Sequence, residues 1–190
     1  MKKVFWCAAI TVSLLSCSTS WNTYASRMFD GKQLLRDREY AEARTDFVKA
    51  AEAQKWPAAY AFAATASYKM GDLASADRYV MEAERLDGKD YSYVRTLGYK
   101  SLILLSEGKE EEGLGALKQY AQVLSSISSP MGATQVESLS RQKPMDLAYL
   151  EKLVDEQAGQ YESDIEQFYS TGTGFYNKHR MSRPGPSIVQ

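Results

Sequence analysis

Apolar residues recur at spacings of three and four through most of this chain, which predicts helices. The longest such stripe lies towards the C-terminal end, where Leu147, Leu150, Val154, Ala158, Tyr161, Ile165 and Phe168 mark one face of a helix over 146–170. Glu151, Asp155, Glu156, Glu162, Asp164 and Glu166 fall between them and predict an acidic opposite side. Ahead of that helix, the serine-rich stretch 125–145, with Pro130 and Gly132, reads as a loop with room for one short helix. Behind it, 171–190 holds Gly172, Gly174, Pro184 and Pro186 without periodicity and predicts a mobile tail. The N-terminal run Val4 to Leu15 is different in kind. It is almost wholly apolar, with no polar face.

Between these ends the helical pattern repeats. Tyr40-Ala41-Glu42-Ala43 aligns with Leu73-Ala74-Ser75-Ala76, and from there Ala43, Phe47 and Ala50 match Ala76, Val80 and Ala83 at an offset of 33. Gly31 falls on Ala64 at the same offset. Gly113, Leu117 and Tyr120 continue the series at an offset of 37. Small residues at Ala43, Ala76 and Gly113 let two antiparallel helices approach closely, and the larger residues further along the same face fill the next gap. Gly71-Asp72 and Gly108-Lys109 supply turns where glycine tolerates positive φ.

The stretch Tyr68-Lys69-Met70-Gly71-Asp72-Leu73-Ala74-Ser75-Ala76, running on through Ala83 to Asp87, resembles a tetratricopeptide (TPR) repeat. The resemblance is sharpest over Pro57 to Asp90, weaker over Thr23 to Trp56, and weakest over Tyr91 to Leu124, where the first helix carries about three extra residues. It implies an all-α, right-handed solenoid of about three helix-turn-helix repeats over 23–124, with 146–170 as a capping helix over its open end. It also implies a groove lined by the first helix of each repeat, suited to a protein or peptide. By register those positions are Met28, Lys32, Leu35 and Arg36, then Ala61, Thr65, Tyr68 and Lys69, then Arg95 and Tyr99. Such a surface is aromatic with a basic edge, fitted to an extended or helical acidic segment.

The N-terminal run acquires a meaning from its flanks. Lys2 and Lys3 precede it and small Ser16 follows it, as in an export signal over 1–16. A bilayer span needs about 20 residues, so the run is too short to cross one. Leu14-Leu15-Ser16-Cys17 resembles the lipobox of bacterial lipoproteins, which implies cleavage before Cys17 and lipid on its sulfur. Ser18, in place of an aspartate, implies the outer membrane. A short tether, 17–22, would then hold the body at the periplasmic face. Of 190 residues, removing 16 leaves 174, with 21 basic and 24 acidic side chains and a formal charge of −3. That balance speaks against a nucleic-acid partner. The second cysteine, Cys7, goes with the signal, so the expected mature chain has no disulfide.

Catalytic chemistry finds little purchase. His179 is the single histidine, which leaves no Ser-His, Cys-His or zinc arrangement. Glu110-Glu111-Glu112 reads as a solvated helix start, where acids favour the dipole. Thr171-Gly172-Thr173-Gly174 lacks the strand-turn-helix setting of a phosphate loop. Tyrosine stands out instead, 13 against 6 phenylalanines, and tyrosine suits binding surfaces. The expectation is a non-enzymatic adaptor without metal or cofactor, held at the cell envelope by lipid. The alternative is a helical lipoprotein carrying a small apolar ligand in its groove.

Overall fold

A computed structural model describes the backbone of residues 4–86, 91–127 and 130–172, and side chains over 19–86, 91–127 and 132–172. The side chains of the lipobox, Cys17 included, and residues 173–190 with His179 lie outside that description. Among the described residues the fold is all-helical. It runs α1 (Val4–Arg36), α2 (Tyr40–Ala53), α3 (Pro57–Lys69), α4 (Leu73–Arg85), α5 (Tyr93–Ser106), α6 (Glu110–Ile127), α7 (Pro130–Ser140) and α8 (Leu147–Thr171). The backbone of 17–22 is helical, continuous with the rest of α1, and α7 falls within the 125–145 stretch. Two compact units divide the chain, Met1–Asp87 (unit 1) and Gly88–Gln190 (unit 2).

Unit 1 is two helix hairpins. α1 packs on α2, α2 on α3 and α3 on α4. Ala43, Phe47 and Ala50 of α2 and Ala76, Val80 and Ala83 of α4 are all buried. α3 is buried over nine of its thirteen residues, most of them alanine, so its neighbours approach its backbone closely. The same logic acts at Gly31 of α1, where an added Cβ would lie 2.7 Å from the Phe47 ring. The ring takes the place a side chain would occupy.

Unit 2 repeats the hairpin and adds two helices. α5 packs on α6, α6 on α7, and α8 lies along α5. Gly113, Leu117 and Tyr120 of α6 are buried, and a Cβ on Gly113 would lie 2.7 Å from Leu105 of α5. α8 starts at Asp146, whose carboxylate accepts from the Tyr149 N–H at 2.9 Å, the geometry of a side-chain N-cap. Its stripe residues Leu150, Val154, Ala158 and Ile165 are buried.

One turn joins the two helices of all three hairpins. Gly71 (φ 78°) and Gly108 (φ 76°) sit in the left-handed region. The next residues, Asp72 and Lys109, donate back to the carbonyls of Ser67 and Leu104. Such a closure satisfies carbonyls that the helix end would otherwise strand. In the α1–α2 turn the same place falls to Arg38 (φ 65°), with Glu39 donating back to Leu34. Arg38, Gly71 and Gly108 are spaced by 33 and 37 residues, the offsets of the sequence repeat. The first of these turns was invisible to a search for glycine.

Candidate binding surface and the buried charge cluster

In unit 1 the expected groove residues fall on α1 and α3. Met28 is buried, Lys32 is half-buried, and Arg36 is exposed in the last turn of α1. The Lys32 ammonium lies 5.0 Å from the centre of the Phe62 ring, linking α1 to α3 through a cation–π contact. On α3, Thr65 is fully buried and its hydroxyl donates to the Ala61 carbonyl at 3.1 Å. That bond turns the hydroxyl inward, so Thr65 serves the helix instead of a ligand. Tyr68 and Lys69 are half-buried in the last turn of the same helix. The residues left accessible are Lys32, Leu35, Arg36, Tyr68 and Lys69, three cations, one phenol and one leucine. Each of α1 and α3 carries a cation in its last turn.

Arg95 and Tyr99 of unit 2 have a different fate, because α8 lies on them. Arg95 Nε donates to Glu162 Oε1 at 2.7 Å and Nη2 to Oε2 at 2.9 Å, a bidentate pair. Arg95 Nη1 stands 3.8 Å from Asp155 Oδ1, and the Tyr99 hydroxyl donates to that carboxylate at 2.6 Å. Beside them the Tyr120 hydroxyl donates to Gln157 Oε1 at 2.7 Å, and Gln157 Nε2 donates to the Gly132 carbonyl at 3.2 Å. These bonds tie α5, α6 and α7 to α8. Backbone closeness accompanies them, since a Cβ on Gly98 would lie 2.5 Å from Val154 Cγ1.

The electrostatics follow from burial. Arg95 and Glu162 expose only 7% and 8% of their side chains. Burial alone would lower the Arg95 pKa, but the charge and hydrogen bonds of Glu162 outweigh it and hold the guanidinium above its ordinary value. Burial pushes the Tyr99 phenol well above its usual range, and the Asp155 charge adds to that. Tyr120 is raised mainly by burial.

No family model matches this chain, and no curated protein or solved structure is significantly similar to it.

Chemically the cluster is a clasp. Its hydrogen bonds join α5 to α8, and the two described clefts in unit 2 leave Arg95 and Glu162 out of their linings. One, of about 350 Å³, lies between α6 and α7 beside Leu117, Lys118 and Val136. The other, of about 390 Å³, adjoins Leu105, Leu114 and the α7–α8 connection. Among the described residues no group of three or more His, Cys, Asp or Glu side chains is placed to hold a metal ion. No helix there is long and apolar enough to cross a membrane.

The sequence pattern puts Glu162 on the acidic side of α8, opposite the apolar stripe, whereas the structure buries it at 6% exposure. The signal was present. Leu150, Val154, Ala158 and Glu162 follow at a constant spacing of four, so Glu162 continues the apolar stripe. A carboxylate on a buried stripe calls for a cation opposite, and Arg95 answers it.

Proposed function

We propose that this protein is a lipoprotein held at the periplasmic face of the outer membrane through lipid on Cys17. Its body is a TPR-like right-handed solenoid that acts as a non-enzymatic adaptor for a protein partner. Outer-membrane assembly, secretion and transporter support are the settings such an adaptor suits. The observation that carries the repeat reading is the shared register of turns and cores. Arg38, Gly71 and Gly108 take the same left-handed position, and a buried triad follows each at a fixed distance: Ala43, Phe47 and Ala50; Ala76, Val80 and Ala83; Gly113, Leu117 and Tyr120. Chance helix packing has no reason to keep turn and core in step. The lipobox-like Leu14-Leu15-Ser16-Cys17 carries the anchor reading, and two or more acyl chains on one residue give stable attachment where one would not.

The partner's chemistry follows from the surface that stays accessible. Lys32, Arg36, Tyr68 and Lys69 in unit 1 suit an acidic segment of a protein, helical or extended. In unit 2 the equivalent ground on α5 is taken by α8, itself an acidic helix, so the docking face is that of unit 1. Cys17→Ser tests the anchor. The variant keeps the helical circular dichroism of the parent and leaves the membrane fraction for the soluble one. A variant that still sediments with membranes overturns the proposal.

A further inference from the structure

Three aromatic rings gather at one end of unit 1. Trp21 and Tyr24 of α1 lie 5.7 Å apart, Trp21 is 5.1 Å from Trp56, and Tyr24 is 5.3 Å from Trp56. Tyr24 is buried at 5% exposure, while Trp21 and Trp56 remain 45% and 44% exposed. Two separate segments are needed to build the group. Trp56 closes the α2–α3 connection, and that connection is bound to the middle of α1: the Ser20 hydroxyl donates to the Ala53 carbonyl, and Gln54 Nε2 donates to Ser20 Oγ at 3.0 Å. The two half-exposed indoles are therefore fixed in place.

The location gives these rings a use. Trp21 follows Cys17 by four residues on one continuous helix, a single turn and about 6 Å of axis. The headgroup zone of a bilayer is roughly 5–8 Å thick on each side, from about 40–45 Å overall and a 30 Å hydrocarbon core. Lipid on Cys17 therefore brings the rings to headgroup depth, where indoles, apolar in body and polar at one edge, are enriched. Charge agrees. Residues 19–24 and 53–56 carry one charged side chain, Lys55, and no carboxylate, which favours an anionic membrane surface. The other end of the α1–α2 hairpin, Arg36-Asp37-Arg38-Glu39, is charged at every position and exposed throughout. Only the Cys17 end is made for lipid.

We infer that the Trp21–Tyr24–Trp56 cluster is a second membrane contact, which seats unit 1 in the lipid headgroup layer and holds α1 at a set angle to the membrane. The inference rests on Cys17 bearing the anchor. Its consequence is orientation: the seat turns the end of α1 bearing Arg36 away from the bilayer, towards a soluble partner.

Tryptophan emission reads this directly, because cleavage before Cys17 removes Trp6 and leaves Trp21 and Trp56 alone among three tryptophans. The protein is extracted from membranes, its intact mass measured, and the sample reconstituted into phosphatidylethanolamine–phosphatidylglycerol vesicles with and without acyl chains brominated near the headgroup. The expected result is a mass carrying lipid on Cys17, blue-shifted emission, loss of that emission with brominated lipid, and shielding from aqueous iodide. Trp21→Phe and Trp56→Phe each remove part of the quenchable signal while the helical dichroism stays. Lipidated protein whose emission ignores brominated lipid and yields to iodide overturns the seat and leaves the anchor standing. An unmodified Cys17 overturns the anchor, and the seat with it.

Discussion

Among the described residues, unit 1 buries eleven alanines and only two of the largest fully enclosed side chains, Phe47 and Val80, while unit 2 encloses Tyr99, Tyr120 and a set of leucines. Their charges differ as much. Unit 1 ion pairs such as Arg27–Asp46 at 2.9 Å and Arg44–Asp72 at 2.8 Å have partly exposed members, and such pairs contribute about 0–1 kcal/mol. The unit 2 pair Arg95–Glu162 is sealed. Small side chains bring the helices of unit 1 close together and leave the cations of α1 and α3 accessible. Large side chains and a buried ion pair hold a fourth helix on α5. One hairpin plan thus yields an open surface in one unit and a closed one in the other, and the difference lies in what covers the first helix.

Breaking the clasp gives the largest expected effect. Arg95→Leu strands a buried carboxylate and destabilises the protein by about 3–5 kcal/mol, while Arg95→Leu with Glu162→Leu recovers most of that loss. Urea unfolding monitored by circular dichroism measures both. The three tryptophans, Trp6, Trp21 and Trp56, all belong to unit 1, so the single variant loses helical signal at lower urea than it loses native emission. A single variant as stable as the parent removes the clasp from the account.

Helix spacing comes next. Gly98→Ala forces Val154, a stiff β-branched side chain, away from α5 and costs about 1–3 kcal/mol. Adding Val154→Ala reverses part of that cost. Gly31→Ala against Phe47 is the matching probe in unit 1, and the two changes separate the units by which unfolding step they move.

Acid and alkali pull on different units. Asp72 caps α4 by accepting from the Ser75 N–H at 3.1 Å. Hydrogen bonds from the Ser75 side chain and backbone, aided by Arg44, hold its carboxyl below the usual range. A depressed carboxyl contributes stability that is present above the unfolded value of about 3.9 and is lost as pH falls below it. Asp72→Ala costs about 1 kcal/mol at neutral pH and less in acid. Tyr99 and Tyr120 are shifted the other way, so their contribution is whole below the unfolded phenol value of about 10 and fades as pH rises above it. Unit 2 is therefore the alkali-sensitive half. Melting curves across pH check both limbs, and Tyr99→Phe softens the alkaline one.

The smallest change is a gain. Arg38→Gly relieves a left-handed arginine and stabilises the α1–α2 turn by on the order of 0.5 kcal/mol, the extra unfolded freedom of glycine offsetting part of the benefit. Arg38→Ala, which keeps a Cβ, leaves stability near that of the parent.

Much of the helical plan was legible because small residues leave a trace. Ala43, Ala76 and Gly113 announce close helix pairs, and Gly71 and Gly108 announce turns, since few other residues serve there. Arg38 did not, because a long polar side chain hides a left-handed backbone. The register put Lys32 and Arg36 on the accessible side of α1, and it put Arg95 and Tyr99 of α5 where α8 buries them. Periodicity within one helix says which residues share a face and nothing about which distant helix will cover it. The pairing of Arg95 with Glu162 spans 67 residues, and only the constant spacing of four that runs through Glu162 hinted at it. Thr65 stood in a groove position by register, yet a local bond to Ala61 turned it inward.

The claim that an open unit 1 recruits a partner at the membrane is tested most directly by photo-cross-linking in cells. A photoreactive residue is placed at Arg36 or at Lys69, and for comparison at Lys152, which is exposed on α8. The expected result is one and the same protein partner captured from positions 36 and 69, none from 152, and loss of capture when Cys17→Ser releases the body from the membrane. Capture from 152 alone, or unchanged capture by the released variant, would contradict it.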